Sequence, residues 1–123
     1  MNVPISQVTI YSDTVYFSGI PPVDKTNTLI GKNNFTVQTR FVLKRLAEIL
    51  RESESSIDSI IFLNVYLNDI KLINEFNEIY IQFMSNPYPA RKVIETKFSI
   101  AGVLIELSGI ASQEKHKHAI NYK

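Results

Sequence analysis

Ile60-Ile61-Phe62-Leu63-Asn64-Val65-Tyr66-Leu67 is a strand-length run that is almost entirely apolar, and such a run implies a strand buried on both faces of a sheet. The segments around it decide which kind of sheet. Downstream, Leu72, Ile73, Phe76, Ile79, Tyr80 and Phe83 recur at helical spacing from a start near Asn68-Asp69, and Pro87 and Pro89 forbid the helix from continuing. Upstream, Val42, Leu46, Ile49 and Leu50 share one face of a second helical segment that Asn34 can cap. Arg40, Lys44, Arg45, Glu48, Arg51 and Glu52 give that helix its wet surface, and the small polar residues 53–56 end it. Before it, residues 21–33 carry two prolines, Asp24, Asn27 and Gly31 and read as loop.

The outer segments are strands. Gln7-Val8-Thr9-Ile10-Tyr11 alternates polar and apolar residues, Thr14-Val15-Tyr16-Phe17-Ser18-Gly19-Ile20 is rich in β-branched and aromatic ones, and Ser12-Asp13 between them reads as a tight hairpin turn. Residues 90–96 and 103–111 supply two closing strands joined by a short loop that contains Gly102. The predicted order is ββαβαββ, an α+β domain. Two helices cover only one face of a sheet, yet the strands at 15–20 and 60–67 are apolar on both sides. The second face therefore needs a cover. Self-association is the simplest choice, and the alternative is that loop 21–33 or the tail folds over it.

Composition narrows the function classes. At 123 residues the chain has the size of one domain with one core, with 45% apolar and 20% charged residues. A net charge of +1 gives no basic field for nucleic acid or a membrane surface, and the aromatic residues fall at core spacing instead of interleaving with a basic patch. With no cysteine there is no disulfide, thiolate metal site or cysteine nucleophile. Met1-Asn2-Val3-Pro4 lacks the basic and apolar stretches of an export signal, and no apolar run approaches the ~20 residues that span a bilayer, so a cytoplasmic protein is expected.

Few residues could carry chemistry. Arg91, in Pro87-Tyr88-Pro89-Ala90-Arg91, sits at the mouth of a strand whose approach two prolines stiffen; it reads either as a bidentate carboxylate or phosphate grip or as an ordinary surface arginine. Glu106 is the only charge in Val103-Leu104-Ile105-Glu106-Leu107-Ser108-Gly109-Ile110. It is either a desolvated carboxyl able to hold or activate water or a residue at a solvent-facing edge. Ser18-Gly19 ends its strand with a hydroxyl and an accessible backbone, and Asn77 follows Phe76 on the second helix. His116 and His118 form an HxH pair, readable as a metal site but better as a solvated tail. No Gly-rich phosphate loop, zinc spacing or nucleophilic triad is present.

Together these segments resemble the reactive-intermediate deaminase (RidA, or YjgF) family. The likeness is carried by Val15-Tyr16-Phe17-Ser18-Gly19 with Ile20-Pro21, Gln38-Thr39-Arg40 with Leu43 and Leu46, Asn64-Val65-Tyr66-Leu67-Asn68-Asp69, Phe76-Asn77-Glu78-Ile79-Tyr80, Pro89-Ala90-Arg91, and Ile105-Glu106-Leu107 with Ile110-Ala111. It extends over about residues 5–111, which sets a single domain at 1–111 and a tail of unassigned role at 112–123.

The resemblance implies a chorismate-mutase-like fold with a mixed sheet and two helices on one face, in a homotrimer with sheets inward and helices outward. It further implies a deaminase that hydrolyses enamines and imines such as 2-iminobutanoate and 2-iminopropanoate, without a cofactor or metal, in clefts between subunits. Arg91 would clamp the substrate carboxylate, Glu106 would place or activate water, and Ser18, Gly19 and Asn77 would line or support the cleft. The partners implied are a small 2-imino or 2-oxo acid and further copies of the chain, not nucleic acid or a membrane. Departures from the family pattern are Ile5 where a tyrosine follows the early proline, Ile20 for a glutamine, Lys92 for a serine or threonine, and Val93 for a cysteine. Losing the tyrosine hydroxyl makes the site more apolar and opens a second reading, a non-catalytic trimeric module that binds a small carboxylate and regulates. An endoribonuclease or translation inhibitor ranks third.

Overall fold

A computed structural model of the chain describes residues 3–114. Its element order is β1 (Val8–Tyr11), β2 (Thr14–Ile20), α1 (Phe35–Glu52), β3 (Ile60–Leu67), α2 (Ile73–Phe83), β4 (Ala90–Glu95) and β5 (Ile105–Ser112). This is the ββαβαββ order expected from the sequence. The β1–β2 hairpin turns on Ser12 and Asp13, both with positive φ (48° and 67°), the left-handed pair that a two-residue turn needs to match strand twist. Asn34 caps α1 as expected, its side chain accepting from the Val37 N–H. The second helix starts later than its apolar spacing suggests. Asp69 caps a single 3-10 turn, Ile70–Leu72, and regular α-helix begins only at Ile73.

The five strands lie in the order β1-β2-β5-β3-β4. The last strand in sequence is inserted between β2 and β3, antiparallel to both, while β4 runs parallel to β3. β2 and β3 are consequently parallel to each other. α1 crosses from β2 to β3 and α2 from β3 to β4, stepping in the same direction along the sheet. Two right-handed crossovers stepping the same way place both helices on the same face. That face is the core, where Val15, Phe17, Leu63, Val65, Leu67, Ile105 and Leu107 meet Leu43, Leu46 and Leu50 of α1 and Phe76 of α2.

The second face is different. Along β3, Leu63, Val65 and Leu67 are fully buried, whereas Phe62, Asn64 and Tyr66 are only half-buried and Ile61 is exposed. Within one chain β3 is thus buried on one side, not both. Tyr16 on β2 is 44% exposed; Ile110 beside it and Phe62 beyond continue an aromatic and aliphatic surface across the sheet, and Tyr66 lies further along the same face. Loop 21–33 is tied elsewhere: the Asn33 N–H bonds to the Gly102 carbonyl and Gln38 reaches the Gly31 carbonyl. β5 continues through Ser112, and Gln113 beyond it is buried, its N–H donating to the Asp13 carbonyl and its amide to the Ser53 carbonyl.

Gln38 holds three segments together. It is fully buried; its Nε2 donates to the carbonyls of Gly31 (3.0 Å) and Gly102 (2.7 Å), and its Oε1 accepts from the Leu104 N–H (2.8 Å). It joins α1 to the loop before it and to the turn that feeds β5. Gln38→Ala strands two carbonyls and one N–H away from water, and is expected to cost about 3 kcal/mol. A drop in the denaturant midpoint at unchanged slope checks this; an unshifted midpoint would mean that water replaces all three bonds.

Candidate functional site

Residues paired across neighbouring strands point to the same side of a sheet, and residues one apart along a strand to opposite sides. Arg91 pairs with Leu63, which pairs in turn with Gly109, so all three belong to the helix face. Glu106 lies three residues from Gly109 and pairs with Tyr66, so it belongs to the open face. The two ionisable residues singled out in the sequence are therefore on opposite faces, separated by β3. One chain does not bring them together.

Arg91 is the second residue of β4, an edge strand, and its guanidinium lies over two rings of α2, 5.4 Å from the Phe76 centroid and 4.8 Å from that of Tyr80. No carboxylate among the described residues pairs with it. The aromatic faces fix the plane of the guanidinium and leave its N–H donors for something else. Around it is an open cleft of about 280 Å³ lined by Asn77, Tyr80, Ile81, Tyr88, Pro89 and Arg91, so that Asn77 and Arg91 do share a site. Tyr80 is 4% exposed, and burial raises its phenol above the ordinary value, a shift partly opposed by the nearby Arg91 charge and by the approach of an Arg91 N–H to the phenol oxygen. Arg91 is close enough for that influence, yet no hydrogen bond of good geometry reaches the Tyr80 hydroxyl, which is buried without a partner among the described residues.

Glu106 sits on β5, the central strand of the sheet, which removes the alternative of a solvent-facing edge. Its carboxyl group lies against Gly19; a Cβ there would come within 2.8 Å of the carboxyl carbon. A side chain at position 19 would therefore push the Glu106 carboxyl group out of this place. Burial pushes the Glu106 carboxyl above its ordinary value, and no described residue donates to it or sets a counter-charge beside it. Glu106 shares a second cleft, of about 380 Å³, with Ile5, Gln7, Ser18 and Gly19. The register between β2 and β5 shifts between Phe17 and Ile20, a bulge that turns Ser18-Gly19 toward this cleft.

Ser18 is already engaged. Its hydroxyl donates to the Ser6 carbonyl (3.0 Å) or the Gln7 carbonyl (3.2 Å) and accepts from Gln7 Nε2 (3.3 Å). It fastens residues 5–7, and with them Ile5, along the rim of the Glu106 cleft. Ile5 itself is 68% exposed. His116 and His118 lie outside the described residues. Tyr80 and Gln7 were not legible as site residues: Tyr80 occupies a core position of the helical repeat, and Gln7 alternates as a strand residue should.

The sequence model of the Endoribonuclease L-PSP family matches residues 2–113. A RutC family protein of Saccharolobus solfataricus is 39% identical over 111 residues, covering 89% of this chain and 87% of its own. The 3-aminoacrylate deaminase RutC of Acinetobacter baylyi is 28% identical over 108 residues, 88% of this chain and 86% of its own. Among solved structures, RidA of the Antarctic bacterium Psychrobacter superposes with a TM-score of 0.82 at 27% identity, covering 89% of each chain.

Proposed function

Because this chain belongs to the reactive-intermediate deaminase (RidA/YjgF) family, we propose that it hydrolyses small 2-imino acids, of the 2-iminobutanoate and 2-iminopropanoate kind, to 2-oxo acids and ammonia. The clefts are assembled from two copies of the chain. One observation carries the proposal. Among the described residues, each chain holds a guanidinium with no counter-charge on one face and a half-buried carboxyl with no donor on the other. Unpaired groups of this kind are costly, and they are complementary to each other and to a zwitterionic imino acid.

A homotrimer with open faces inward covers Tyr16, Tyr66 and Ile110 and sets the β4 edge of one copy beside the Glu106 cleft of the next. Arg91 grips the substrate carboxylate. Ionised Glu106 takes a proton from a water molecule as its oxygen bonds to the imine carbon, and passes that proton to the nitrogen. The C–N bond of the protonated carbinolamine then breaks, ammonia leaves with the bonding pair, and Glu106, ionised again, takes the hydroxyl proton as the 2-oxo group forms and releases it to solvent. An imine is already electrophilic, so placement and proton transfer suffice.

A test couples the protein to a dehydratase that releases imines from serine or threonine and follows 2-oxo acid formation. Faster release than in buffer alone is expected. Unchanged rates with every amino acid tried, together with pyruvate binding, would favour the carboxylate-binding regulator. Ile5, which brings no hydroxyl to the Glu106 cleft, is the feature that favours that second reading. RNA cleavage gains no support from a chain of net charge +1.

A further inference from the structure

We propose that the Tyr80 hydroxyl is a second donor to the anion held by Arg91, so that the carboxylate is gripped by a guanidinium and a phenol together. The inference rests on Arg91 being the carboxylate holder and adds to it a residue that the sequence assigns to the core. Tyr80 is 4% exposed, its hydroxyl is buried and without a hydrogen-bond partner among the described residues, and it lines the same cleft as Asn77 and Arg91. A buried hydroxyl left unpaired carries an uncompensated desolvation cost, and native folds keep few of them.

The ring has a task of its own. It packs against Phe76 (5.3 Å between centroids) and Tyr88 (6.2 Å), and it supports the guanidinium at 4.8 Å. Phenylalanine would do all of that. What phenylalanine would lack is the polar tip, and among the described residues that tip has no hydrogen bond of good geometry and no acceptor for its proton. A phenol oxygen can accept an N–H while donating its own proton, whereas a guanidinium only donates. Tyr80 is thus able to accept from Arg91 and donate onward to an anion. A phenol is protonated at neutral pH, as a donor must be, and burial only strengthens that preference.

The experiment uses the full chain, with Tyr80→Phe and Arg91→Ala measured alongside the wild type. Pyruvate affinity is read by titration calorimetry, melting temperature by scanning calorimetry and assembly by light scattering. Tyr80→Phe is expected to weaken pyruvate binding by roughly ten- to a hundredfold, with assembly unchanged and melting temperature equal or higher, since an unpaired buried hydroxyl is removed. A purely structural tyrosine gives the opposite pattern. Unchanged pyruvate affinity, or a loss of assembly along with affinity, overturns the proposal. If Arg91→Ala binds pyruvate as well as the wild type, the Arg91 reading itself fails and takes this one with it. If Arg91→Ala loses pyruvate while Tyr80→Phe keeps it, only the tyrosine inference falls.

Discussion

Arg91→Ala is expected to lower kcat/KM for imino-acid hydrolysis by about a thousandfold while the oligomer stays intact. Truncating one partner of a desolvated charge pair costs roughly 2–5 kcal/mol, and about 4 kcal/mol within that range is three decades in rate. The expectation of an intact assembly comes from what Arg91 touches at home. Its described contacts are the faces of Phe76 and Tyr80, with no ion pair, and such exposed cation–π contacts contribute only ~1 kcal/mol. The coupled dehydratase assay and light scattering check both halves of the expectation. A variant that falls apart into monomers would make Arg91 a structural residue and remove it from the site.

Glu106→Gln is expected to lower kcat by about 10²- to 10⁴-fold with little change in pyruvate affinity, because proton transfer is lost while the carboxylate grip remains. Equal losses in turnover and affinity would argue against a water-handling role. The same substitution has a stability signature of definite sign. Burial raises the folded pKa of Glu106 above its ordinary 4.5, so the folded chain holds this proton more tightly than the unfolded one. Stability is then lost as pH climbs from the ordinary value through the raised one. Glutamine does not titrate, so Glu106→Gln should melt above the wild type at about pH 8, and the gap should narrow toward about pH 4. In the wild type the acidic limb of the pH–rate profile should accordingly lie above the usual carboxylate range, because Glu106 must be ionised to act as base.

The elements were legible because each announces itself locally. Pro87 and Pro89 end α2, Asn34 begins α1, and the apolar run at 60–67 is a strand. The hairpin at Ser12-Asp13 was readable even though neither residue is glycine. What one sequence does not display is strand order. The insertion of β5 between β2 and β3 is a long-range pairing, and on it depends whether Glu106 is central or at an edge.

The site was legible residue by residue but not as an arrangement. Arg91 and Glu106 stood out as a cation at a strand mouth and a charge in an apolar strand. Their placement on opposite faces follows only from the register through Leu63 and Gly109, which local pattern does not carry. Ser18 looked like a ligand group and is held by Ser6 and Gln7 of its own chain. Tyr80 was hidden for the converse reason: helical spacing reports that a ring is buried and says nothing of whether its hydroxyl is paired.

The central claim is that a working cleft takes its guanidinium from one copy and its carboxyl from another. Mixing Arg91→Ala chains with Glu106→Gln chains in equal amounts, after denaturation and refolding together, tests it directly. If the two groups come from different copies, random assembly rebuilds clefts with both groups intact, and two inactive proteins regain about one quarter of wild-type activity per chain. A refolded mixture of mixed oligomers that stays as inactive as its parents would contradict the claim.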